Sequence, residues 1–180
     1  SNDNGTFSLG QRLYIETLSP LAPTASFTEF RSHSAKVSWI CHTRPEVCYF
    51  ANTSAQVTEN IISPANVKSF NVVLENLRKK ADRKLHFQNL DINTVRIVAY
   101  SDASFANNAD LSSQRGFIIF LSDASGKCNV INYRSYKSRR VTRSVLGGEI
   151  LAFADAFDCA YTLRKDIEKM LGQNEATAAT

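Results

Sequence analysis

Apolar residues recur at helical spacing through the first half of the chain and at strand spacing through much of the second. Arg31 to His42 is modestly amphipathic and is stopped by Thr43-Arg44-Pro45. Pro45 stands where a first-turn proline opens a helix, which Val47, Tyr49, Phe50 and Val57 carry onward. Ser63-Pro64 repeats that grammar, a side-chain cap followed by proline at the first helical position. Val67, Phe70, Leu74 and Leu77 then give this third helix one apolar face. It finishes on Arg78-Lys79-Lys80 and Arg83-Lys84, a basic end suited either to the helix dipole or to a phosphate contact.

From about residue 85 the period changes. Leu85–Leu90 and Thr94–Phe105 are rich in strand-forming residues, with Asp91-Ile92-Asn93 as the turn between them. Arg115–Leu121 predicts a short apolar strand, Ser122–Lys127 a hairpin turn and Cys128–Ser135 the return strand. Ser144 opens a long helix reaching about Leu171, in which Leu146, Ile150, Phe153, Phe157 and Tyr161 fall on one stripe. The fold class that follows is α+β: a helical subdomain over residues 27–90, then three antiparallel strands and a long helix over 91–172. Residues 1–26 read as a tail or extended segment, and Ser1–Gly5 and Gln173–Thr180 as flexible ends.

Two carboxylates stand out against this pattern. Asp102 lies toward the end of a strand that reads as buried, where an acid is costly unless it is paired or holds a cation. Glu149 sits beside the apolar stripe of the long helix, just after Gly147 and Gly148. Each glycine costs a helix about 1 kcal/mol relative to alanine, so their presence points to a close approach by another backbone or a ligand. A strand carboxylate facing a helix carboxylate suits a hard divalent cation, although a solvated pair of acids satisfies the same spacing.

Composition narrows the classes. The chain has 180 residues, enough for one domain or one and a half small ones, and is 43% hydrophobic and 21% charged, as ordinary globular chains are. No apolar run approaches the ~20 residues of a membrane span, and no signal-peptide pattern opens the chain, so membrane and secretion are set aside. Cys41, Cys48, Cys128 and Cys159 lack metal spacing and read as reduced structural thiols of an intracellular protein, nuclear or cytoplasmic. His33, His42 and His86 have no spacing that builds a triad with a nucleophile.

The 21 Lys and Arg against 17 Asp and Glu leave a net charge of only +4, but its distribution is uneven. Ala124 through Gly148 contains no acid and six bases: Lys127, Arg134, Lys137, Arg139, Arg140 and Arg143, with Tyr133 and Tyr136 interleaved. Such a block suits phosphate contact. Its alternative is a solvated turn whose arginines pair with acids of the neighbouring helix.

Tyr100-Ser101-Asp102-Ala103-Ser104-Phe105-Ala106 resembles the opening strand of the ribonuclease H domain in copia-type retrotransposon polyproteins. Ser113 to Leu121 is similar to its second strand, and Ser135-Tyr136-Lys137-Ser138 and Ser144 to Ala152 to the third strand's exit and the glutamate-bearing helix. Upstream, Thr43 to Ala51 and Ser54-Ala55-Gln56 resemble the helical thumb at the end of the same elements' reverse transcriptase. The likeness runs in family order from about residue 27 to 172. It implies a mixed sheet, two magnesium ions and hydrolysis of the RNA strand of an RNA–DNA hybrid, recognised by backbone shape and 2′-hydroxyls. It assigns Asp102 and Glu149 as metal-binding catalytic carboxylates.

The pattern also departs from that family. Its site needs further aspartates on a fourth strand and a later helix, and no residue here occupies those positions. Asp155, Asp158 and Asp166 lie ~9, ~14 and ~26 Å along the helix from Glu149 at ~1.5 Å per residue. Asp110 and Asp123 fall in loops. The expectation is weak or absent magnesium binding, little or no hydrolysis, and at most binding of RNA or RNA–DNA hybrid through the basic block. The length fits a thumb plus only the first part of a ribonuclease H-like domain. The alternative is a domesticated, non-catalytic scaffold that binds a protein partner or dimerises through the unpaired edge of a three-strand sheet.

Overall fold

A computed structural model describes residues 5–108 and 110–172. The expected flexible ends, Gly5 excepted, lie outside the described residues. The fold is α+β and divides into two compact units, the boundary falling between Phe87 and Gln88 and Ser135–Lys137 grouping with the first.

The first unit is built around helices. α1 spans Arg12–Thr17, α2 Phe27–Ile40, α3 Cys48–Ala55 and α4 Pro64–Lys79, with a single 3-10 turn at Pro45–Val47 leading into α3. Ser63 caps α4 as its sequence predicts: its Oγ accepts from Asn66 N at 3.4 Å while Asn66 Oδ1 accepts from Ser63 N at 2.8 Å. Val67, Phe70, Leu74 and Leu77 are buried, and Phe30 of α2 meets Phe70 edge-on at 5.8 Å. α2 begins four residues before the expected Arg31. Ser26 and Glu29 form a capping box there, the Glu29 carboxylate accepting from Ser26 N at 2.8 Å.

Residues 5–26, expected as a tail or extended segment, contribute a strand, a helix and part of the core. β1, Phe7–Leu9, pairs antiparallel with β2, Leu85–Phe87, and the Phe7 and Phe87 rings stack at 4.6 Å. Ile15, Leu18 and Leu21 belong to the core. Their spacing of three covers only two steps, and Pro20 already falls within the second, so no helical period is long enough to stand out. Arg44 is buried as well, its Nε donating to Glu46 Oε1 at 2.7 Å and its guanidinium to the Lys80 carbonyl at 2.9 Å.

The second unit holds the meander. β3, Arg96–Ser104, β4, Gln114–Ser122, and β5, Cys128–Lys137, form a three-stranded antiparallel sheet with β4 in the middle. Asp123, buried in the β4–β5 turn, fixes that hairpin by accepting from Ser125 N at 2.9 Å, Ser125 Oγ at 2.6 Å and Lys127 N at 3.2 Å. Its second oxygen accepts from Asp91 N at 3.2 Å, tying the turn before β3 to the same side chain.

α5, Val145–Met170, follows Ser144, whose Oγ accepts from Gly147 N at 3.1 Å. The helix packs on the sheet through its small residues: Gly148, Ala152 and Ala156 are buried, against a sheet whose Ile119 is fully buried. Small residues let the helix sit close, and a Cβ placed on Gly148 would meet the Ala103 Cβ at 3.4 Å. The large residues point elsewhere. Leu146, Ile150, Phe153, Phe157 and Tyr161, the stripe that ordinarily marks a core face, are 52–68% exposed.

Candidate nucleic-acid interface

The second unit carries an exposed arginine loop. It joins β5 to α5 and is anchored at its start by Ser138, a buried residue. Ser138 N donates to the Ser113 carbonyl at 2.8 Å, and its Oγ donates to the Arg140 carbonyl at 2.8 Å and accepts from Arg140 N at 3.3 Å. At the loop's end the Thr142 methyl packs 3.8 Å from where a Gly147 Cβ would stand. Between these anchors Arg139, Arg140 and Arg143 are exposed, and Val141 projects at the tip with 95% of its surface open. No acid among the described residues pairs with any of the three arginines.

These charges adjoin the first turn of α5, whose peptide dipoles add positive potential at the same place. Guanidinium groups without a carboxylate partner among the described residues have donor forks suited to an external anion. The arrangement concentrates positive charge at the start of α5.

The rest of the acid-free block is dispersed in space. Lys127 lies at the opposite end of β5, some ~30 Å away along ten residues of strand, with its Nζ donating to the Asn89 carbonyl at 3.4 Å. Arg134 is on the helix-facing side of β5. Its neighbour Asn132, two residues earlier and thus on the same face, donates to Cys159 Sγ at 3.1 Å. Burial pushes the Cys159 thiol up, and the Arg134 charge opposes that shift. Lys137 ends β5 and groups with the first unit. Sequence adjacency thus marked six bases, of which Arg139, Arg140 and Arg143 form the open loop.

The two carboxylates adjoin a close approach of strand and helix: a Cβ on Gly148 would stand 3.4 Å from the Ala103 Cβ, and Asp102 and Glu149 are the neighbouring residues. Asp102 is nonetheless exposed, against the buried position expected for it. Its cross-strand partner is Gly116, whereas Ala103 pairs with Arg115, whose guanidinium reaches Asp155 of α5 at 2.6 Å. Because side chains alternate along a strand, Ala103 and Arg115 face the helix and Asp102 faces the other side of the sheet. Glu149, on the helix, is half-buried.

Among the described residues no three His, Cys, Asp or Glu side chains converge as a metal-ligand group. A pair of magnesium ions binds through converging oxygens, whereas Asp102 faces away from α5 and Glu149 lies on it.

Sequence reasoning missed two features here. The Arg115–Asp155 ion pair pins α5 to β4; an arginine opening an otherwise apolar strand was its signal. Cys41 and Cys48 are hydrogen-bonded to one another, which with burial raises the Cys41 thiol and by itself lowers that of Cys48. All four cysteines are free thiols. No helix among the described residues is long and apolar enough to cross a membrane. No family model, curated protein or solved structure matches the chain.

Proposed function

We propose that this chain is a ribonuclease H-like module of retroelement origin that binds the phosphate backbone of RNA or RNA–DNA hybrid and does not hydrolyse it. The observation that carries binding is the loop at the start of α5, where three exposed arginines stand without an acidic partner among the described residues. The strand-strand-strand-helix order and the motifs around Asp102 and Glu149 support the ribonuclease H-like reading. Against catalysis stands the placement of Asp102 on the sheet face away from α5.

Binding of this kind is ionic and indifferent to base sequence, and it weakens steeply with salt. Replacing Arg139, Arg140 and Arg143 together with alanine is expected to weaken binding of a labelled RNA–DNA hybrid at least tenfold at low salt. The slope of log affinity against log salt should fall by about two to three, one phosphate per arginine. Fluorescence anisotropy at several salt concentrations reads both quantities. Unchanged affinity and slope would sink the assignment of the loop. Magnesium-dependent cleavage of the hybrid that Asp102→Asn abolishes would overturn the non-catalytic part.

A further inference from the structure

The outer face of α5 carries a second, independent feature. Val145, Leu146, Ile150, Phe153, Phe157 and Tyr161 line it, each more than half exposed. The Phe153, Phe157 and Tyr161 rings are stacked in a ladder, with centroids 6.2 and 6.4 Å apart. The opposite face of the helix, with Gly148, Ala152 and Ala156, is buried on the sheet, so the ladder is held on a rigid mount. Counting ~150–250 Å² for each aromatic side chain and somewhat less for the aliphatic ones, the open part of this stripe comes to roughly 600–700 Å². A single apolar patch on a monomer is commonly ~300–600 Å². A specific protein interface buries ~600–1,000 Å² on each partner, so this stripe supplies one side of such an interface.

We infer that α5 is a homodimer interface in which two copies of the helix pack antiparallel, with Phe153 near the two-fold axis. The spacing between successive members, four, three and four residues from Leu146 to Phe157, is that of a helix–helix seam. Reversal of direction sets Leu146 against Tyr161 of the other copy and Ile150 against Phe157, a closed and self-complementary pairing. Charge selects this direction. A parallel pair would bring two loops bearing Arg139, Arg140 and Arg143 side by side at two positive helix ends, whereas the antiparallel pair sends them to opposite ends.

The test is sedimentation velocity of the whole chain across concentration. The 20.0 kDa chain is expected to sediment as a dimer of about twice that mass in the micromolar range. Phe157→Asp should weaken association at least 100-fold with an unchanged circular dichroism spectrum, since Phe157 is 57% exposed and outside the buried core. Phe153→Cys, treated with copper phenanthroline, should cross-link between copies, whereas the unaltered chain and Val72→Cys should not. A chain that stays monomeric at ~200 µM overturns the inference. So does a dimer that survives Phe157→Asp without a Phe153→Cys cross-link, which would place the contact elsewhere, such as the edge of β3 or β5. Monomer that floats with anionic phosphatidylserine vesicles through these residues would make the stripe a lipid-facing surface instead.

Discussion

Single side chains do disproportionate work where they join segments distant in sequence. Asp123 accepts from Ser125, Lys127 and Asp91, so one carboxylate holds both the β4–β5 hairpin and the turn entering β3. The Ser125 hydroxyl is the main cause that keeps its pKa below the ordinary aspartate value; burial opposes this, and the backbone donors from Asp91, Ser125 and Lys127 reinforce it. The sign follows from linkage. A depressed native pKa gives stability that is fully present above the unfolded value, near ~4, and is lost as pH falls through the native one. Thermal melts from pH 6 to pH 2.5 should therefore show a midpoint that drops below about pH 4, and Asp123→Asn should lower the midpoint at pH 6 while flattening that drop. An Asp123→Asn chain with the same acid slope as the native one would show that another carboxylate governs it. Asp102 teaches the converse. Its position in an apolar-looking strand suggested burial, but burial depends on which face is covered. That is set by the helix to which Ala103 and Arg115 turn, 40 or so residues downstream of β3.

At the scale of elements, local grammar was legible and partners were not. The caps at Ser63 and Ser144 mark their helices because a hydroxyl satisfying a first-turn amide is a contact made within four residues. The hairpin at Ser122–Lys127 is equally local. The pairing of β2 with β1 joins residues about 78 apart, and no local signal reports it. The stripe on α5 failed for another reason. Periodicity identifies an apolar face but not what covers it, and here the glycine–alanine face won the sheet because it permits a closer approach. That explanation can be tried directly. Gly148→Ala should be tolerated or mildly stabilising, since its Cβ meets Ala103 at ordinary contact distance and the helix gains up to ~1 kcal/mol of propensity. Gly148→Leu should lower the melting temperature by several degrees, because the added atoms have only the strand to enter. Equal effects from the two would mean that closeness to β3 does not constrain this position.

The molecule as a whole combines an anion-attracting loop with a self-complementary helix, and the two readings constrain one another. In the antiparallel dimer each α5 start at Ser144 lies nine residues, or ~14 Å, from the two-fold at Phe153, so the two helix starts stand ~27 Å apart with an arginine loop beyond each. One turn of duplex spans a comparable distance, ~34–36 Å in B-form DNA, so a single hybrid can reach from one loop to the other. A hybrid long enough to touch both loops would be held by two tethered contacts, a short one by a single contact. Linking contacts in this way raises affinity by a factor set by effective concentration. The native chain should then bind a 20-base-pair hybrid at least 30-fold more tightly than an 8-base-pair one at equal salt. Phe157→Asp should keep the short-hybrid affinity and lose most of that gain, whereas the triple arginine substitution should weaken both lengths. These outcomes separate the two readings, because loss of the length effect alone implicates the helix and loss at both lengths implicates the loop. If Phe157→Asp retains the full preference for the longer hybrid, the dimer plays no part in binding, and the loop acts as a single site that longer hybrids merely offer more places to meet.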